Sequence, residues 1–267
     1  MELSKAQSVK EGWVRVNDGS PTLWRLARRR FERSLRRPSR RLIWDSIPLT
    51  VNSRVLEEGA GGASLGLAVS LKTRAWVYAI DLAQEALRAC QANAEDLRCR
   101  YGSLPFNPVR GDAFVLPFRD SVFDLIMSEG LMEHFADGKS RLIILREARR
   151  CLRPNGFLLL LIPNNEHPLT RWWQRRGYPW LDETSAVREY LIGPNQLACD
   201  LESSGFEVVC KDCENPWSTL AKYPNWGVLR ALAYVLNRCV PLPHTLRLRL
   251  GIDAYVLGRK LSESAQP

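Results

Sequence analysis

The amino-acid sequence predicts an α/β fold: a doubly wound, mostly parallel sheet of seven strands with helices on both faces. Three observations lead there. From residue 54 onward short apolar runs alternate with segments of helical periodicity, the pattern of parallel strands joined by crossover helices. The first run empties into a glycine-rich turn, Gly59-Ala60-Gly61-Gly62; glycines let a strand turn sharply into a helix and let the backbone approach a ligand. The second run ends on Asp81, at the spacing of about 20 residues that sets an acid against the ribose hydroxyls of an adenosine ligand in a βαβ unit.

Taken in order, residues 1–50 stand outside the alternation. Leu23, Ala27, Phe31 and Leu35 recur every fourth residue among arginines, which predicts a basic amphipathic helix. Strands are expected at 54–58, 76–81, 107–112, 123–128, 157–163, 207–210 and 254–258, and helices at 65–72, 83–96, 139–152 and 195–204. In the third helix Leu142, Leu145, Ala148 and Leu152 share a stripe, Arg149 and Arg150 suit the negative end of the helix dipole, and Gly156 follows as a stop. The division is a helical extension at 1–50 and one domain at 51–267, with helical or loop insertions at 165–190 and 216–249.

The chain has 267 residues, 45% apolar and 25% charged, which argues against disorder and coiled coil. Its net charge is +9, yet residues 25–41 alone hold nine Arg against one Glu. The rest is close to neutral, so the chain carries one local cationic element and is not basic all over. No apolar run reaches the roughly 20 residues that span a bilayer, and the first residues lack the order of a secretory signal. A cytoplasmic protein is expected, with contact to an anionic membrane, RNA or its own domain as the three fates of residues 25–41. Seven scattered Cys suggest reduced thiols. Cys210 and Cys213 form a lone C-x-x-C, short of the four donors of a closed metal site, and no metal is expected.

Five motifs in order then make the sequence resemble the class I S-adenosylmethionine-dependent methyltransferases, in particular the group that includes the ubiquinone and menaquinone biosynthesis enzymes. These are Glu57-Glu58-Gly59-Ala60-Gly61; Asp81; Gly111-Asp112-Ala113 with Leu116-Pro117-Phe118; Phe123-Asp124-Leu125-Ile126 with Leu131, Glu133 and His134; and Leu152 through Phe157. The resemblance implies a Rossmann-like methyltransferase fold over residues 54–206 with an echo at 254–260. It implies S-adenosylmethionine as cofactor, held by Glu57, Gly59, Ala60, Gly61, Asp81, Leu82, Asp112, Ala113 and Ser128. Asp112 would accept from the adenine amino group.

The residues suit that ligand better than a dinucleotide. Gly66 sits at the wrong offset for the third glycine of a pyrophosphate turn, whereas a Glu57 carboxylate suits an ammonium and the N–H groups beside Gly59 and Gly61 suit a carboxylate. Two positions depart from the pattern. Ala63 replaces a frequent Gly, a mild change. Glu58 replaces an apolar residue on the face of Leu56, so either an Arg neutralises it or the strand end is exposed.

His134, past the fourth strand, is a general-base candidate beside a packing reading. Trp172, Trp173 and Trp180, with Trp217 behind them, are expected to wall a substrate pocket. The activity expected is methyl transfer to a small, apolar or lipid-like acceptor. The alternatives are an RNA methyltransferase gripping phosphates with residues 25–41, and a non-catalytic scaffold retaining the fold.

Overall fold

A computed structural model describes residues 11, 31, 35, 37–168, 171–172, 192–218 and 227–262. The seven strands form one sheet in the order β3-β2-β1-β4-β5-β7-β6. These are β1 (Arg54–Glu58), β2 (Trp76–Asp81), β3 (Phe106–Arg110), β4 (Phe123–Glu129), β5 (Leu152–Pro163), β6 (Phe206–Glu214) and β7 (Asp253–Lys260). β1 through β5 pair in parallel, while β7 runs antiparallel between β5 and β6. Chain order reverses at β1, so β1 and β4 flank the switch point where doubly wound sheets bind ligands beyond the strands' carboxyl ends.

Alternation along the strands divides the core in two. Val55, Val77, Ala79, Leu125 and Met127 pack on one face with α1 (Pro38–Ser46), α2 (Ser64–Thr73) and α3 (Gln84–Tyr101). Leu56, Ile80, Ile126, Leu158 and Leu160 pack on the other with α4 (Gly138–Cys151) and α5 (Pro194–Ser203). Asp137 caps α4 by accepting from the Ser140 N–H at 2.7 Å, the service an N-cap acid performs for an orphan donor.

Several expected bounds move for physical reasons. β3 stops at Arg110 because Asp112 and Val115 bridge to each other and fold the chain back; its interior Pro108 is tolerable because β3 is the sheet's edge. β5 begins at Leu152, which already pairs with Phe123. β6 continues through Lys211 and Asp212, charged residues that an edge strand accommodates.

The segment 216–249 contributes α6 (Gly227–Cys239) and α7 (His244–Leu250). Among the described residues no helix is long and apolar enough to cross a membrane. Of the expected N-terminal stripe, Leu23 and Ala27 lie outside the described residues, while Phe31 is buried and Leu35 packs beside it against the α2 face. Cys210 and Cys213 belong to opposite core faces, as three residues on a strand require, so they do not converge on one ligand.

Candidate functional site

The glycine-rich turn between β1 and α2 is held in a left-handed conformation at Gly59 (φ 60°), Gly61 (φ 52°) and Ala63 (φ 55°). A Cβ on Gly59 would stand 3.1 Å from Leu131 Cδ1. Ala63 is a costlier departure than expected: a left-handed Ala carries a penalty of roughly 1–2 kcal/mol that Gly avoids. The turn's carbonyls are tied down from α3, where the Cys90 thiol donates to Gly61 O (3.1 Å) and Asn93 Nδ2 donates to Gly62 O (3.0 Å). Its N–H groups on the other side are thereby fixed in direction.

Three acids lie at the carboxyl-terminal ends of three adjacent strands on this face: Glu57, next to last in β1, Asp81, the last of β2, and Glu129, the last of β4. Asp81 accepts from the Gly61 N–H and the Ala83 N–H, both at 2.9 Å, so the second-strand acid is wired to the turn itself. Burial raises its pKa, and a carboxylate with two donors still has lone pairs for a diol. Glu57 accepts from the Gly66 N–H at 2.8 Å. Burial nevertheless pushes its pKa up to about 8, with the Gly66 hydrogen bond pulling the other way.

Glu129 and Arg40 escaped the sequence reading. Arg40, on α1, is 1% exposed and donates from Nη2 to Glu129 Oε2 at 2.6 Å; Ser64 Oγ, at the start of α2, lies 3.5 Å from that oxygen. The signal for Glu129 was its two-residue step from Met127, which puts it on the Glu57 face.

On the opposite face the expectation for Glu58 fails on both counts. It is fully buried, and neither carboxylate oxygen has a partner among the described residues. Burial, helped by Glu147, raises its pKa to about 8, so it sits there as the neutral acid. Ser128, its register partner on β4, is also buried, and its Oγ is unpartnered. Ser128 thus belongs to this second polar spot and not to the face of Glu57 and Asp81.

Asp112 accepts from the Phe114 N–H at 2.9 Å and shapes the turn after β3. Glu147 accepts from the Leu116 N–H (3.0 Å), and Arg150 donates to the carbonyls of Leu116 and Phe118, pinning that turn to α4. Leu82 and Ala113, half-buried, follow the two acids in the chain. Beyond β4 a 3₁₀ turn, Met132–His134, buries His134. Arg141 fixes the chain leaving it, donating to the carbonyls of Phe135 and Ala136 while pairing with Asp200 at 2.6 Å. Trp172 is described and exposed; Trp173 and Trp180 lie outside the described residues. Trp217 is half-buried, its indole donating to Val240 O at 3.2 Å.

An antiparallel seventh strand inserted beside β5, a glycine turn at the switch point and acids ending β1 and β2 define the Rossmann-like methyltransferase class of doubly wound folds. The comparisons agree: residues 56–160 match the family model described as "Methyltransferase domain". The uncharacterized protein YafE of Escherichia coli is 34% identical over 85 residues, 32% of this chain and 39% of that one. The chain spans less than half the length of the curated relatives it matches. Among solved structures, a SAM-dependent methyltransferase from Methanosarcina mazei superposes with a TM-score of 0.60 at 19% identity, covering 83% of this chain and 98% of that one. Phosphoethanolamine N-methyltransferase 2 of Haemonchus contortus, solved with S-adenosyl-L-methionine, gives 0.56 at 14% identity over 84% of this chain and 52% of its own.

Proposed function

We propose that this chain transfers a methyl group from S-adenosylmethionine to a small, apolar or lipid-like acceptor. The cofactor half rests above all on Asp81, which ends β2 and is bonded to the Gly61 N–H of the β1–α2 turn. Gly59, a position where a Cβ would crowd Leu131, keeps the backbone open to a ligand. When bound, S-adenosylmethionine supplies an electrophilic methyl group on a sulfonium.

The chain's own residues have four tasks. Glu57 pairs with the ammonium, Asp81 accepts from the ribose hydroxyls, Asp112 accepts from the adenine amino group, and the turn fixes their spacing. Displacement at a methyl carbon asks chiefly for alignment near 3 Å and exclusion of water; the buried 3₁₀ turn beside β4 serves both. His134 takes the proton of an acceptor that arrives protonated.

Isothermal titration with S-adenosylmethionine and S-adenosylhomocysteine tests the cofactor. Micromolar or tighter binding is expected, weakened in Asp81→Ala by about 1.5–3 kcal/mol, the value of a hydrogen bond to a charged group. Absence of binding by folded protein would refute the reading.

The acceptor half is supported by α6, whose apolar stripe faces outward. Val228, Leu232 and Val235 are 80%, 44% and 51% exposed, while the polar Asn237 turns in, accepting from the Trp217 N–H and donating to Ser218 Oγ. An outward apolar stripe on a basic chain suits a lipid surface. Salt-sensitive sedimentation with vesicles containing anionic phospholipid, reduced in Leu232→Glu, is expected. RNA binding without vesicle binding would favour the alternative acceptor class.

A further inference from the structure

A second concave site lies at the other end of the sheet from the glycine turn. α4 runs directly into β5 at Leu152, and Gly205 joins α5 to β6. Both junctions stand where strands begin, whereas the cofactor residues stand where strands end. A cavity of about 480 Å³ opens there, lined by Arg146, Arg149, Arg150, Ser203, Ser204 and Gly205. None of these residues is acidic and none has an aliphatic or aromatic side chain.

The three arginines are balanced to different degrees. Arg150 pairs with Glu147 at 2.8 Å and Asp120 at 2.7 Å, and also donates to the carbonyls of Leu116 and Phe118. Arg149 has no carboxylate partner among the described residues; its Nε donates to Gly205 O at 3.2 Å. Its two Nη groups remain, the end of the fork that takes an oxyanion by two parallel hydrogen bonds. Gly205 makes room for this: its backbone is left-handed (φ 81°), and a Cβ on it would stand 3.0 Å from Arg149 Nε. Arg146, one turn earlier on α4, is exposed and has no ion-pair partner among the described residues. Two uncompensated guanidinium charges thus line one cavity. The negative end of the α4 dipole, worth about half a charge, offsets only part of them.

We propose that this cavity binds a compact, soluble polyanion carrying two phosphoryl groups. Arg149 takes one group through its Nη edge, Arg146 takes the other, and the exposed Ser203 hydroxyl donates at the rim. Nothing in the lining would pack on a nucleobase or an acyl chain, so recognition is by charge and hydrogen bonding. A lipid headgroup is the poorer source of that chemistry. Trp217 and Asn237 tie α6 to the segment leaving the carboxyl end of β6, so a chain resting on a bilayer through α6 turns this cavity away from it.

Isothermal titration of the full chain with inorganic pyrophosphate and with a hexose bisphosphate, beside orthophosphate and sulfate, tests the site. At least one of the first two is expected to bind about 10-fold or more tightly than orthophosphate, and the tighter one says which spacing of phosphoryl groups the arginines match. Arg149→Met and Arg146→Glu are each expected to weaken that ligand by about 10-fold or more, the value of a hydrogen bond to a charged group. Arg41→Glu, the same charge change at an exposed position of α1, is expected to leave it unchanged. Excess S-adenosylhomocysteine is expected not to compete. Equal binding of all four anions, or equal losses in Arg41→Glu and Arg146→Glu, would mean attraction to net charge only and overturn the proposal. Competition by S-adenosylhomocysteine would put the anion in the glycine turn and overturn it too. Should Arg149→Met fail to fold, Arg146→Glu decides alone.

Discussion

Glu57 and Glu58 are neighbours in sequence, both buried and both pushed to a pKa of about 8 by burial, yet the two faces of β1 treat them differently. Glu57 has the Gly66 N–H at 2.8 Å and the charge of Arg40 near it, and it stands beside the turn assigned to the ligand. Among the described residues Glu58 makes no hydrogen bond, and the like charge of Glu147 adds to the effect of its burial. A raised carboxylate pKa is therefore no mark of function by itself. One glutamate is destabilised toward a ligand that would relieve it; the other is destabilised with no relief in view, and no role for it follows from the structure.

The sharpest way to separate them is to remove Glu58. Below about pH 4.5, its unperturbed value, folded and unfolded chains both hold the proton. As pH rises the unfolded chain releases it while the folded chain keeps it to about pH 8, so Glu58 lowers stability progressively across that window and the loss levels off above it. Glu58→Leu restores an apolar residue on the Leu56 face. Its gain in unfolding free energy is expected to be about 4 kcal/mol larger at pH 8 than at pH 4, read by denaturant titration of ligand-free protein at both pH values. A gain that does not change with pH would mean that Glu58 is not a protonated buried acid.

The Glu57 side is broken through its partner. A Cβ on Gly66 would fall 2.6 Å from Glu57 Oε2 and 2.9 Å from Val77 Cγ1, so α2 approaches β1 and β2 as closely as only glycine permits. Gly66→Ala is expected to cost about 1–3 kcal/mol of stability and to weaken cofactor binding, because the carboxylate must leave its N–H. Gly66 interrupts the dinucleotide pattern in sequence, but its use is to seat an acid. Thermal unfolding and titration together check this, and wild-type behaviour in both would break the link between Gly66 and Glu57.

How far this was legible from sequence varies by element. β1 and β2 matched their expected residues because each apolar run ends abruptly on an acid. β3 did not, since only the Asp112 and Val115 bridge shows where its chain turns back. The sequence marked Asp81 as a candidate ligand acid, but its hydrogen bond to Gly61 needed the fold. Alternation put Glu58 on the Leu56 face and said nothing of partners, so both expected remedies for it were wrong. Arg40 and Glu129 are 89 positions apart, and no local pattern joins them; within the Arg-rich run Arg40 looks like any other solvated cation. The burial of Arg40 is a tertiary fact, set by where Pro38 starts α1.

The last contrast between the glutamates lies in proton release. Glu57 binds a proton in the ligand-free site up to about pH 8, and an ammonium brought against it favours the carboxylate and pulls its pKa down. Cofactor binding near pH 7 should therefore release close to one proton from Glu57, and affinity should rise with pH up to about 8 and level there. The slope limit is tenfold per unit for one proton, so a gain of about twentyfold between pH 6 and 7.5 is expected. Titration in buffers of different ionisation enthalpy counts the proton directly. In Glu57→Gln the release should disappear, whereas in Glu58→Leu it should persist, because that acid faces away from the ligand. Loss of the release in Glu58→Leu, or its survival in Glu57→Gln, would reverse the roles assigned to the two faces of β1.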